Sequence, residues 1–190
     1  MWIQPFYKSP MVDTGYDVSG YITVDPSNGS MEDFKRLLKA TKEKRMKLIV
    51  DFVPNHSSDQ HEWFKLSEQR IEPYTDFYVW HDGRKVNDSY SMAPNNWIDV
   101  VHGSSAWTWS EKRRQYYYHQ FVRQQPDLNL RNPQVVKELE LDNHDKMRVT
   151  SRFFPESVDS WLMLVPLLPG AVSIYLLWHR DWHGKFKDGS

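Results

Sequence analysis

The chain has 190 residues, 39% of them hydrophobic and 26% charged, and a formal net charge of -1; this balance supports a folded core and excludes a disordered chain. So small a charge leaves no basic surface for nucleic acid or an acidic membrane, and neither is expected as a partner. Cysteine is absent, so no disulfide framework holds the fold, while 15% aromatic residues, with nine Trp and ten Tyr, suit either a packed core or a platform for carbohydrate.

In chain order, residues 1–7 suggest a short apolar strand that ends in a turn at Lys8, Ser9 and Pro10. Ser30 with Asp33 three positions on is the pattern of a capped helix start. Phe34, Leu37, Leu38 and Thr41 then share one face, with Lys35, Arg36, Lys39 and Lys42 outside it. Residues 47–53 are apolar except for Lys47 and Asp51, as expected of a strand covered on both faces in a parallel sheet. Strand, helix and strand together make an α/β unit. Residues 57–131, rich in Trp, Tyr, His, Asn and Gln, show no sustained period. A stretch of that length and character is expected to be an irregular subdomain carried on a scaffold.

Asn132 before Pro133 marks another helix start. A strand is expected to end at 141–145, with a helix over 155–168, a Pro-Gly turn, and a strand over 171–177. The most apolar segment, 161–178, contains Pro166, Pro169 and Gly170; it falls short of the roughly 20 apolar residues that a spanning helix needs. The N-terminus has no basic region followed by an apolar one, so no signal peptide is expected in this chain.

Chemistry in parallel α/β folds sits at the carboxyl ends of strands. Tyr16 and Asp17 follow the first expected strand, Asp51, Asn55 and His56 the second, and Asn143, His144 and Asp145 the third. Each group pairs a carboxylate with a Tyr or His, a mixture of donors and acceptors that suits sugar hydroxyls. Singly, each is equally well a solvated turn or a loop bonded to itself.

Together they carry a resemblance. The strings WIQPFYKSP, GYD (15–17), DFVPNH (51–56), QPDLN (125–129) and NHD (143–145) occur in the order of the conserved segments of α-amylase-family glycoside hydrolases. QPDLN and the neighbouring SSDQHEWF, FYVW and PNNW stretches are similar to the maltase and α-glucosidase branch, of the insect maltase kind. The resemblance implies an α/β fold, here a partial (β/α)8 (TIM) barrel with an irregular subdomain inserted after the third barrel strand. The expected division is a barrel fragment at 1–56, the inserted subdomain at 57–131, a barrel fragment with NHD at 132–178, and a divergent tail at 179–190.

The resemblance also implies roles. Tyr16 would stack on a terminal glucose and Asp17 bind its hydroxyls. His56 and His144 would donate to the same sugar, and Phe121 and Gln125 would line the pocket. Asp51 and Asn55 would be buried groups that hold the loop presenting His56. Asp145 would be the carboxylate that stabilises the transition state, with Arg148 in its charge network. The ligand implied is a small oligosaccharide of the maltose or sucrose type, with no cofactor and no metal.

Retaining glycosidases use a nucleophilic carboxylate and a carboxylic acid about 5–5.5 Å apart. The family places the nucleophile in a Gly-Phe-Arg-x-Asp segment and the acid one strand later. Both belong between the helix begun at Asn132 and NHD, yet Glu140 and Leu141 are adjacent. Asp127 and Glu138 fall at no expected strand end and are poor substitutes. The expectation is therefore an α-glucosidase-family chain that grips sugar but lacks its catalytic pair. The alternative is a non-catalytic relative like the heavy subunits of amino-acid transporters, whose membrane tether would lie outside this chain. Sequons at Asn28 and Asn87 accord with a secreted or extracellular longer parent, whereas Asn55, which also fits the pattern, is expected to be buried beside the sugar.

Overall fold

The computed structural model describes residues 1–87 and 90–139. The elements expected at 141–145, 155–168 and 171–177, and with them His144, Asp145 and Arg148, lie outside the described residues.

The first unit is parallel. Strand β1 (Trp2–Ile3) pairs with β4 (Ile49–Val50), Trp2 opposite Ile49 and Ile3 opposite Val50. Between them run β2 (Tyr7–Lys8), β3 (Gly20–Val24) and helix α1 (Met31–Glu43). The strand expected over 1–7 is divided: Trp2–Ile3 joins β4, whereas Tyr7–Lys8 pairs antiparallel with β3. Pro5 stands at the break, where it offers no N–H to continue a ladder. The strand expected over 47–53 is also shorter and less covered, for Ile49 and Val50 are only half-buried. A two-stranded parallel pair covers one edge of each strand and little of either face.

Helix α1 starts where its cap lies. Ser30 accepts from the Asp33 amide at 3.2 Å, and the Asp33 carboxylate accepts from the Ser30 amide at 2.8 Å. Two otherwise unpaired donors are thereby satisfied. Of the predicted face, Phe34, Leu37 and Leu38 are half-buried and Thr41 is fully buried.

Residues 57–131 are more ordered than their lack of period suggested. They hold helix α2 (Glu62–Glu68), a 3-10 turn at Tyr74–Asp76, and strands β5 (Trp80–His81), β6 (Arg84–Asn87), β7 (Tyr90–Met92), β8 (Trp107–Ser110) and β9 (Gln115–Tyr118). β5, β9 and β8 form an antiparallel sheet in that order, and β6 and β7 pair as a hairpin. Strands of two to four residues are too short to show an alternation that a sequence reading can detect.

The main core lies on this sheet. Phe64 of α2 meets Tyr78, Tyr117 and Trp80 at ring separations of 5.0, 5.2 and 5.6 Å. Phe77, Leu128 and Val135 are buried in the same cluster. Val135 comes from helix α3 (Pro133–Leu139), whose start is capped as predicted: the Asn132 side-chain oxygen accepts from the Gln134 amide at 2.9 Å. Arg113 locks α2 to the sheet. Its guanidinium lies 4.5 Å over the Trp80 ring, donates to the Thr75 carbonyl at 2.7 Å and donates to the Gln115 side chain at 2.6 Å.

Candidate functional site

The carboxyl end of β4 runs directly into residues 51–56, beside the loop that follows β1. Asp51 ties these segments together. Its carboxylate accepts from Trp2 Nε1 and from the Tyr16 hydroxyl, each at 2.9 Å. Burial and the hydrogen bond to Asp51 hold the Tyr16 phenol above its ordinary pKa, so Tyr16 is a neutral donor with its ring fixed by the bond.

Asp17 is fully buried. It accepts from Ser9 Oγ and the Val12 amide at 2.9 Å and from the Asp13 amide at 3.0 Å. A carboxylate has about four lone-pair sites, so three of them already hold the loop at 9–13. In this arrangement the immediate work of Asp17 is to shape that loop.

His56 is buried as well. Asn55 Nδ2 lies 3.0 Å from His56 Nδ1, and His56 Nε2 lies 3.3 Å from the Tyr16 carbonyl. Because an amide N–H can only donate, Nδ1 is the bare nitrogen, and Nε2 carries the proton and gives it to Tyr16. Burial lowers the His56 pKa to about 4, so the ring is neutral at physiological pH. Asp51 and Asn55 are themselves only half-buried.

The loop is fastened to the antiparallel sheet. His56 and Asp127 form an isolated antiparallel bridge, the Leu128 amide donates to the Asn55 carbonyl at 2.9 Å, and the Phe121 ring lies 5.1 Å from the His56 ring. Gln125, fully buried, donates to Asp13 Oδ2 at 2.8 Å. Its Oε1 has no hydrogen-bond partner among the described residues. A buried acceptor of this kind is short of one donor, which a hydroxyl or an ordered water supplies. Tyr16, Asp17, His56, Phe121, Gln125, Asp51 and Asn55 thus belong to one connected cluster.

Two members were not foreseen. Asp13 orients Gln125, and no pattern in its neighbourhood marks it. Asp127 is buried, accepting from the Gln120 amide at 2.9 Å and from Asn55 Nδ2 at 3.3 Å. Burial pushes its pKa up to about 8. Its oxygens face the protein interior, which suits a brace and not a nucleophile. Away from the cluster, a cavity of about 280 Å³ opens beside His119, lined by Asp99, His102, Thr108 and Arg123; none of the motif residues lines it. Among the described residues no three His, Cys, Asp or Glu side chains converge on a possible metal position.

These protonation states make stability depend on pH. His56 and His61, both lowered to about 4 by burial, bind protons only when unfolded as pH falls from 6.5 to 4, so acid destabilises through them. Asp127, raised to about 8, behaves in the opposite way: its proton is held only in the folded state between about 4 and 8, and stability falls as pH rises. Below pH 6.5 His56 and His61 outweigh the one carboxyl by a net proton, a slope of about 1.4 kcal/mol per pH unit to which His119, also lowered by burial, adds in the same direction, and above 6.5 the carboxyl acts alone. Thermal midpoints are expected to peak near pH 6.5, and Asp127→Asn to remove the alkaline limb. A profile rising steadily from pH 6.5 to 8 in the unsubstituted chain would show that Asp127 is ionised.

Functional side chains at the carboxyl ends of parallel strands, with an accessory sheet held against them, are the layout of an α/β-barrel site. The alpha amylase catalytic domain family matches residues 1–140. The chain belongs to that family, whose fold is the (β/α)8 barrel. It is similar to a salivary alpha-glucosidase of Anopheles gambiae, 52% identical over 139 residues, covering 73% of this chain and 23% of that protein. It is likewise similar to the human amino acid transporter heavy chain SLC3A1, 50% identical over 139 residues, covering 73% of this chain and 20% of that protein. Among solved structures, the trehalulose synthase MutB from Pseudomonas mesoacidophila is 48% identical with a TM-score of 0.66, over 73% of this chain and 24% of that one. A MutB variant has been solved in complex with the substrate sucrose. The chain spans about a quarter of the length of the relatives it matches.

Proposed function

We propose that this chain is the sugar-gripping part of a maltase-type α-glucosidase, binding the terminal α-linked glucose of maltose- or sucrose-type oligosaccharides. Tyr16 and Phe121 supply ring faces, and His56, Gln125 and Asp17 supply polar edges. His144, Asp145 and Arg148, outside the described residues, keep the sugar-binding and charge roles that the family resemblance gives them. The observation that carries this reading is the junction of DFVPNH with QPDLN, where the His56–Asp127 bridge joins two motif segments and the Tyr16–Asp51 hydrogen bond adds a third. The unmet acceptor of Gln125 adds to it. Residues 1–56 act as barrel scaffold, 57–131 as a subdomain inserted after the third barrel strand, 132–178 as barrel again, and 179–190 as a tail. The family match stops at residue 140, at the 140/141 junction where the family's nucleophile and acid segments would lie. Gripping sugar without hydrolysing it is the function that remains.

Calorimetric titration of the chain with maltose and with sucrose tests the reading. Saturable binding is expected, weakened roughly tenfold in Tyr16→Ala through loss of ring stacking. No binding of either sugar by a cooperatively melting chain would defeat it. The identity with the transporter heavy chain favours a second reading, a parent whose barrel binds a membrane partner. A spanning helix upstream in the parent would select that reading, and a cleavable leader would select a secreted glucosidase.

A further inference from the structure

We propose that Asn28 is an N-glycosylation site and that the Asn55 sequon is closed to modification by the fold. The inference rests on the reading of the parent as a protein of the secretory pathway. Asn28-Gly29-Ser30 and Asn55-His56-Ser57 both have the acceptor pattern Asn-x-Ser, yet their surroundings differ in every respect that matters to a bulky glycan.

Asn28 ends the 3-10 turn Pro26–Asn28 and is exposed. Asp25 caps that turn, accepting from the Ser27 amide at 2.9 Å, and Pro26 opens it with a fixed φ. The chain then reverses at Gly29, whose φ of +113° is one that other residues rarely adopt. A Cβ there would come within 3.1 Å of Asp33 Oδ2, so the middle residue of the sequon is held to glycine. With no side chain beside it, Asn28 stands clear on an outward turn ahead of α1. Ser30, the hydroxyl of the sequon, is also exposed.

Asn55 is the reverse. Its amide donates to Asp127 and lies against His56, and its hydroxyl partner Ser57 is fully buried, 2.6 Å from the Tyr78 hydroxyl. A glycan on Asn55 would displace the contacts that fasten 51–56 to the sheet. In the reaction proposed for Asn28, the side-chain nitrogen attacks the anomeric carbon of a lipid-diphosphate-linked oligosaccharide. The N–C bond forms as the C–O bond to the diphosphate breaks. The amide gives up one proton, and the lipid diphosphate leaves with the bonding pair.

The test uses the full chain with a cleavable secretory leader and Asn87→Gln to remove the remaining sequon, translated into endoplasmic-reticulum microsomes. Protease-protected product is treated with a peptide N-glycosidase, which leaves Asp where a glycan stood, and the site is mapped by mass spectrometry. Modification at Asn28 is expected, lost in Asn28→Gln and kept in Ser30→Thr, with Asn55 unmodified. A protected chain bare at Asn28, or one carrying its glycan on Asn55, would overturn the proposal. The leader supplies entry, so the result stands apart from whether the natural parent is secreted, which its own N-terminal sequence decides.

Discussion

The purified 190-residue chain is expected to leave maltose, sucrose and p-nitrophenyl α-glucoside unhydrolysed, at the rate of buffer alone. The effect is large because a retaining glycosidase depends on two carboxyl groups acting in turn, and removing members of such a unit leaves only what binding provides. The carboxylates gathered at the site are already committed. Asp17 holds three donors of its own loop, and Asp51 holds Trp2 and Tyr16. Asp127 faces inward with a pKa of about 8. Asp13 accepts from Gln125, and none of the four is placed to attack an anomeric carbon. A glucose-release assay checks this, and a rate proportional to protein that vanishes in Asp145→Asn would reverse it.

Replacing Phe64 by Ala is expected to lower stability by about 3–5 kcal/mol, the usual cost of emptying a buried aromatic site. Phe64 is 5% exposed and touches three aromatic neighbours, Trp80 of β5, Tyr117 of β9 and Tyr78 just ahead of β5. No other ring in that cluster joins α2 to both strands so directly. The loss is a large part of the roughly 5–15 kcal/mol that holds a typical domain together. Near-ultraviolet circular dichroism reports it, since Trp and Tyr give strong signals only when held asymmetrically. The variant should lose much of that signal at a temperature where the parent chain keeps it, with far-ultraviolet intensity changing less. An unchanged near-ultraviolet melt would mean that the cluster is not the core of this chain.

The two predictions bear on different parts of the molecule. The parallel pair β1–β4 is small and leaves Trp2 62% exposed, so it adds little to stability by itself. The antiparallel sheet has its own buried cluster. The site lies between a weakly covered scaffold and a well-packed accessory sheet, and the bridge of His56 to Asp127 is what couples them. Acid pH, which favours the unfolded chain through the buried neutral His56, bears on that coupling.

The capped starts of α1 and α3 were legible in the sequence because capping is local: Ser30 with Asp33, and Asn132 with Pro133, act within a single turn. The order of the sugar motifs, and with it the family, was legible for the same reason, since each motif is a short run of adjacent residues. What the tertiary structure alone decided involves groups far apart in the chain. Gln125 and Asp13 are 112 positions apart, and only closure of the sheet onto the 13–17 loop aims one at the other. The protonation of Asp127 follows from burial, which no neighbour in QPDLN dictates. The five short strands of 57–131, counted among the described residues, are held by pairing partners and aromatic packing instead of by their own periodicity. Local rules fix turns and caps because their partners are already adjacent; burial and long-range hydrogen bonds exist only once the chain has closed on itself.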